Sequence, residues 1–179
     1  LTPALNLAAG TATDLSEVTG GLGNALKMFG KDSSYATTAA DILSKAQAQA
    51  NTTVTDLFEA MSVAGPICKS VGWSMSDLAA ITDIFGDAGI SGSEGATALK
   101  TGLAKLASPA ADGAAWIQKL GLDIFNSNGT MKSMTEVQKQ LHDSFAGLTS
   151  EEKLSAAAAI FGKNQMEKWL TLIDAAPEQ

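Results

Sequence analysis

Arginine is absent: all twelve basic residues among the 179 are lysine, set against nineteen Asp and Glu, for a formal charge of −7. Arginine supplies the planar, bidentate grip on phosphate and guanine, so its absence from an acidic chain argues against direct contact with nucleic acid. Cysteine is nearly absent too. Cys68 stands alone, which rules out an intrachain disulfide and is compatible with a reducing compartment. With His142 as the single histidine, only two Cys and His side chains exist, too few for a structural zinc within one protomer. Long apolar runs are also missing. Stretches such as "SAAAAIFG" at 155–162 are far shorter than the ~18 residues a membrane helix needs. The first residues show no charged-then-apolar leader and start at Leu1 without a methionine, so the chain reads as a piece of a longer polypeptide.

Aromatics are few, with six Phe, three Trp and one Tyr, whereas alanine reaches 31 within an apolar fraction of 45%. Alanine combines the highest helix propensity with little volume, which predicts closely approaching helices around a core of modest side chains. The length is that of one domain, 1–179, able to bury roughly 70% of its unfolded surface.

Helix starts are marked by Ser or Thr followed three residues later by an acid, a spacing that lets each side chain satisfy the other's backbone amide. Six such pairs occur: Thr11/Asp14, Thr53/Asp56, Ser74/Asp77, Ser91/Glu94, Ser133/Glu136 and Thr149/Glu152. Three of them share Thr/Ser-x-x-Asp-Leu, at Asp14, Asp56 and Asp77, a faint repeat of helix-turn units. Apolar stripes at helical spacing follow: Leu57, Met61, Ala64 and Cys68; Leu78, Ile81 and Phe85; Ala96, Leu99, Leu103 and Leu106; and Met166, Trp169, Leu170 and Ile173. Such stripes are core faces. Pro66 cannot donate to the carbonyl of Ser62, so a kink or an end is expected there. The segment "GLDIFNSNGTMK", 121–132, breaks the pattern, and Asn128-Gly129 reads as the turn of a small two-stranded hairpin. The expected fold is all-α, a bundle of short helices with a β-hairpin near 122–132.

No motif for chemistry is complete. "DAGISGSEGATALK", 87–100, spaces Gly89, Gly92 and Gly95 as G-x-x-G-x-x-G, which is neither the dinucleotide fingerprint nor a P-loop. Gly30-Lys31 and Gly162-Lys163 are followed by Asp32 and Asn164, not by Ser or Thr. The economical reading is a left-handed turn at Gly89 that ends one helix before Ser91 caps the next. "GISGS" puts Ser93 where a nucleophile elbow needs glycine. A triad or dyad would have to use His142, which lies beside Val137, Leu141 and Phe145 on an expected helix and reads as a boundary histidine. "NSNG" matches half of a calcium loop, but Ile124 occupies the place of its first aspartate. Asp143, Glu151 and Glu152 could in principle serve a wall-degrading enzyme, and nothing sets them apart from helix caps and solvated surface. A helix-turn-helix DNA reader is the alternative for 78–103. There, Phe85 would stand at the close crossing and Gly95 where an apolar side chain belongs, both contrary to that packing, and the second helix brings only Lys100 and Lys105 against Glu94.

The stretch 65–109 nonetheless resembles the core region of tail tape measure proteins of tailed phages, of the lactococcal-phage type. The resemblance rests on Gly65-Pro66, the Leu/Ala helix after it, the Gly89-Ile90-x-Gly92-Ser93 turn, and Thr97 and Leu99 opening a leucine-striped helix. It extends to "LNLAAGTATDLSEV", to the Asn128-Gly129 segment and to "AAAAIFGKNQMEKWLTLI", with Phe161-Gly162. Gly95-Ala96-Thr97 is inverted relative to the family's Ala-Gly-Thr, and Lys100 stands where many relatives have arginine. The resemblance implies a non-enzymatic phage or prophage protein, a molecular ruler that occupies the tail lumen and sets tail length. It further implies assembly in the host cytoplasm, the tail tube protein, tail assembly chaperones and self-association as partners, and no cofactor, metal, nucleic acid or membrane contact for this segment.

Overall fold

In the computed structural model, residues 1–175 are described, and they fold as helices in two compact units, Leu1–Thr97 and Ala98–Gln179. The first contains α1 (Thr2–Thr11), α2 (Leu15–Met28), a 3-10 turn (Ser33–Tyr35), α3 (Ala36–Gln49), α4 (Val54–Val71) and α5 (Met75–Asp87). The division falls inside α6 (Gly92–Ala107). The second unit continues with α7 (Ala111–Lys119), α8 (Met134–Ala146), α9 (Ser150–Phe161) and α10 (Met166–Asp174).

Four of the expected capping pairs form reciprocal boxes: Thr53 with Asp56, Ser74 with Asp77, Ser133 with Glu136 and Thr149 with Glu152. Each starts a helix at the residue its spacing announces. At Thr11/Asp14 the outcome differs. Thr11 closes α1, its hydroxyl donating to the Leu7 carbonyl at 2.7 Å, and Asp14 itself caps α2 by accepting from the amides of Ser16 and Glu17. The carboxylate reaches those amides without help from the threonine.

In the first unit α2 lies on α4, α1 on α3, and α5 on both α3 and α4. Leu43, Leu57, Met61, Leu78, Ile81 and Phe85 are fully enclosed there, each burial stabilising the fold by roughly 1.5–3 kcal/mol. In the second, α9 packs on α7 and α10, and α8 on α10. Phe145, Ile160, Phe161, Trp169 and Ile173 fill that core, while Met166 and Leu170 of the expected stripe are only half-buried and Leu172 replaces them inside.

One expectation is corrected. The β-hairpin is absent: among the described residues there is no strand, only one antiparallel bridge between Phe125 and Met131. Asn128-Gly129 does turn the chain, with Gly129 at φ +83° and Asn126 N donating to Thr130 O at 2.7 Å. Lys132 N donating to Ile124 O at 2.8 Å completes that single bridge, too short a pairing to stand as a sheet, and the opposite edge is held by a side chain. Asp123 N donates to Gln140 Oε1 and Gln140 Nε2 donates to Asp123 O, both at 2.9 Å, so an amide on α8 takes the place of a neighbouring strand. Of the kink or end expected at Pro66, the end does not occur: α4 runs on to Val71 and terminates at Gly72, φ +84°. Pro66 and Ser62 lie on the exposed side of α4, while Ala64, Gly65 and Cys68 stay buried.

Candidate functional site

The most constrained place in the first unit is the α5–α6 turn, and an acid 36 residues earlier in the chain builds it. Asp56 Oδ2 accepts from the backbone amide and hydroxyl of Thr53 to start α4, while its Oδ1 accepts from the Gly92 amide at 3.0 Å. One carboxylate thereby serves the first turns of two helices, where the helix dipole also favours negative charge. Partial burial raises the Asp56 pKa, but the hydrogen bonds from the Thr53 hydroxyl, the Gly92 amide and the Thr53 amide outweigh it and hold the group below the ordinary aspartate value.

The three glycines of 87–100 have three separate duties. Gly89 turns the chain at φ +75°, and Ile90 N donates back to Phe85 O at 2.9 Å. Gly92 has room for hydrogen only, because a Cβ there would overlap the Asp56 backbone. At Gly95 a Cβ would come within 2.5 Å of the Phe85 ring. The choices that speak against a helix-turn-helix in the sequence are therefore a matched pair: bulk on α5 seats on the bare backbone of α6. Ser91 donates its hydroxyl to Glu94 at 3.3 Å, and Ser93 accepts at its carbonyl from the Thr97 hydroxyl at 2.7 Å. Ser93 is thus backbone support at a helix start. Nothing in this geometry favours a DNA reader, since Lys100 is exposed on a helix whose first turn is held by an acid.

In the second unit the comparable feature is an aromatic plug. Trp169 stacks on Phe161 with ring centroids 4.2 Å apart and planes 2° from parallel. Its indole Nε1 donates to the Ala98 carbonyl at 2.8 Å, and it lies so close over Gly102 that any Cβ there would overlap the ring. Gly162 follows Phe161 at φ +90° and ends α9. Among the resemblance residues, Gly65 is buried against Met28 and Phe29, and Leu99 is fully buried. Thr97, Asn128 and Gly129 are exposed. They lie at separate turns and packing points, and the α5–α6 turn is where Gly89, Ile90, Gly92 and Ser93 come together. Sequence reasoning misses three contacts: Asp56 with Gly92, Gly95 with Phe85, and Gly102 with Trp169. The only signal for them is glycine interrupting an otherwise leucine-and-alanine helix.

The chemistry-bearing side chains are occupied elsewhere. Cys68 is buried on α4, where burial, assisted by the charge of Asp77, pushes its thiol up to about 12, leaving no thiolate at neutral pH. His142 Nδ1 lies 2.8 Å from the Ile173 carbonyl at the half-buried edge of α8. Asp143 pairs with Lys139 at 2.6 Å, and Glu152 caps α9 and meets Lys119 at 3.4 Å. Ile124, at the calcium-loop position, points inward at 4% exposure. Among the described residues no three His, Cys, Asp or Glu side chains gather as a metal-holding group, and no helix is long and apolar enough to cross a membrane.

The distinctive features of this helical chain are thus its packed turns, with Asp56, Glu136 and Glu152 serving as helix caps. Residues 1–162 match the phage-related minor tail protein family, and the chain belongs to it. It is 34% identical over 175 residues to the tape measure protein of Pneumococcus phage Dp-1, covering 98% of this chain and 15% of that protein. It is also 26% identical over 140 residues to the probable tape measure protein of Escherichia phage P2, covering 76% of this chain and 17% of that one. The chain thus spans about a sixth of the length of these relatives. No solved structure matches it.

Proposed function

We propose that the chain is part of a non-enzymatic ruler that determines tail length while tube subunits polymerise around it, and that residues 1–179 work as one helical domain of a longer tape measure chain. The observation that carries this reading is the alignment with the Dp-1 tape measure protein through nearly the whole of this sequence. The engagement of Cys68, His142, Asp143 and Glu152 in core and surface contacts supports a role through shape and contact. The working location is the tail lumen of the virion, after assembly in the host cytoplasm. The partners are the tail tube protein, tail assembly chaperones and other copies of the chain. An acidic, arginine-free surface suits a lumen through which DNA must pass without adhering.

The test is an in-frame deletion in the full-length gene, in a helical stretch outside these residues. Tails measured by electron microscopy should shorten in proportion to the residues removed, by about 1.5 Å per helical residue. Tails of unchanged length would defeat the reading.

A further inference from the structure

If the whole parent chain measured length as extended helix, these residues would have to contribute as such, and the fold stands against it. The described residues form two compact bodies closed by long-range polar bonds, Asp56 to Gly92 in one and Trp169 to Ala98 in the other. A single continuous helix would break both bonds. It would also undo the reciprocal caps at Thr53, Ser74, Ser133 and Thr149, run through Pro109, and strip Leu57, Phe85, Phe161 and Trp169 of their cover.

We infer that residues 1–175 are a folded module of fixed size within the tape measure chain, and that length is metered by sequence outside it. The inference rests on the ruler reading and refines it. The two sizes at stake differ enough to measure. As one continuous helix 175 residues extend about 260 Å. Folded units of this size have radii of gyration of about 12 Å, so even two such bodies placed in line occupy about 60 Å.

The experiment uses the full gene in the phage or prophage that encodes it. One allele deletes a stretch of helical sequence outside the module, equal in residues to the module itself, and a second duplicates residues 1–175 in tandem. The expected result is shortening by about 260 Å in the first, at the helical rise per residue, with a change of about 60 Å or less in the second, the length of the folded bodies. Lengthening by about 260 Å on duplication, the full helical extension, overturns the inference and leaves the ruler reading intact. No shortening on the outside deletion defeats the ruler itself.

A chemical readout covers the case in which the duplicated chain builds no tails. Cys68 is fully buried and Ser70, on the same helix, is exposed. Assembled tails carrying Ser70→Cys are treated with N-ethylmaleimide, and each site is read by mass spectrometry. Position 70 should react at least tenfold faster than Cys68. Equal rates at the two positions would mean that the fold is lost in the tail, and the inference with it.

Discussion

The two units place similar helices under different rule. The first, Leu1–Thr97, holds ten acids and four lysines, a formal charge of −6; the second, Ala98–Gln179, holds nine acids and eight lysines, a charge of −1. Nearly all of the chain's excess negative charge therefore belongs to one unit. Their organising contacts differ as well: the first joins two helix starts through the Asp56 carboxylate, whereas the second is centred on the stacked rings of Trp169 and Phe161. What they share is a glycine on α6 that admits a ring, Gly95 for Phe85 and Gly102 for Trp169. An alanine-rich chain short of aromatics gains packing density by setting its few large rings on bare backbone.

The contrast can be broken most severely at the plug. Trp169→Ala removes a buried indole and leaves Phe161 unstacked, and should destabilise the second unit by about 3–5 kcal/mol. Hydrogen exchange should show lost protection in α9 and α10 with α1 to α4 unchanged; uniform loss would show that the two units do not open separately. Next is Gly92→Ala, which presses a methyl against the Asp56 backbone and should lose about 3 kcal/mol in denaturant unfolding. Gly95→Ala meets only a ring and should lose less, with part of the loss recovered in a double variant with Phe85→Leu, the coupling expected of direct contact.

Asp56→Ala should cost about 2 kcal/mol, since two helix starts lose a partner, against about 1 kcal/mol for Ser133→Ala, which unmakes a single cap in the second unit. Equal losses would mean that the Gly92 bond adds nothing. The charge has a sign to check. Asp56, Asp14, Glu136 and Glu152 are all held below their ordinary values of 3.8 or 4.5, so the unfolded chain binds protons first on acidification. Their contribution is complete above about pH 5 and is lost as pH falls through the folded values, so thermal midpoints should be flat from pH 6 to 8 and decline below about pH 4.5. The smallest effect belongs to the exposed Lys139–Asp143 pair on α8, where Asp143→Asn should change stability by about 0.3–0.5 kcal/mol.

Legibility follows the range of each interaction. Thr53, Ser74, Ser133 and Thr149 announce their helices because cap and amide lie within one turn, and Leu78, Ile81 and Phe85 announce a buried face because period alone puts them on one side. Gly89 is legible for the same reason, its positive φ being demanded by a local turn. At 122–132 the sequence misleads, because strand signals near Asn128-Gly129 say nothing of Gln140, which holds the Asp123 backbone from α8 while the pairing itself stops at one bridge. At Pro66 the sequence leaves a kink or an end open, and only the structure shows that α4 continues there, with Ser62 and Pro66 on its exposed side. The family itself is legible from the order of the motifs around Gly65, Gly89 and Phe161.

Local pattern by itself determined that this chain is helical, where most helices start, which faces are apolar, and that one cysteine and one histidine cannot make a structural zinc site within one protomer. Tertiary structure alone decided that Asp56 would hold the start of α6, that Phe85 and Trp169 would be received by glycines, and that an amide would stand in for a strand. The physical reason is distance along the chain: a cap or a stripe is specified within a few residues, whereas the bond from residue 56 to residue 92 exists only once the helices between them have packed.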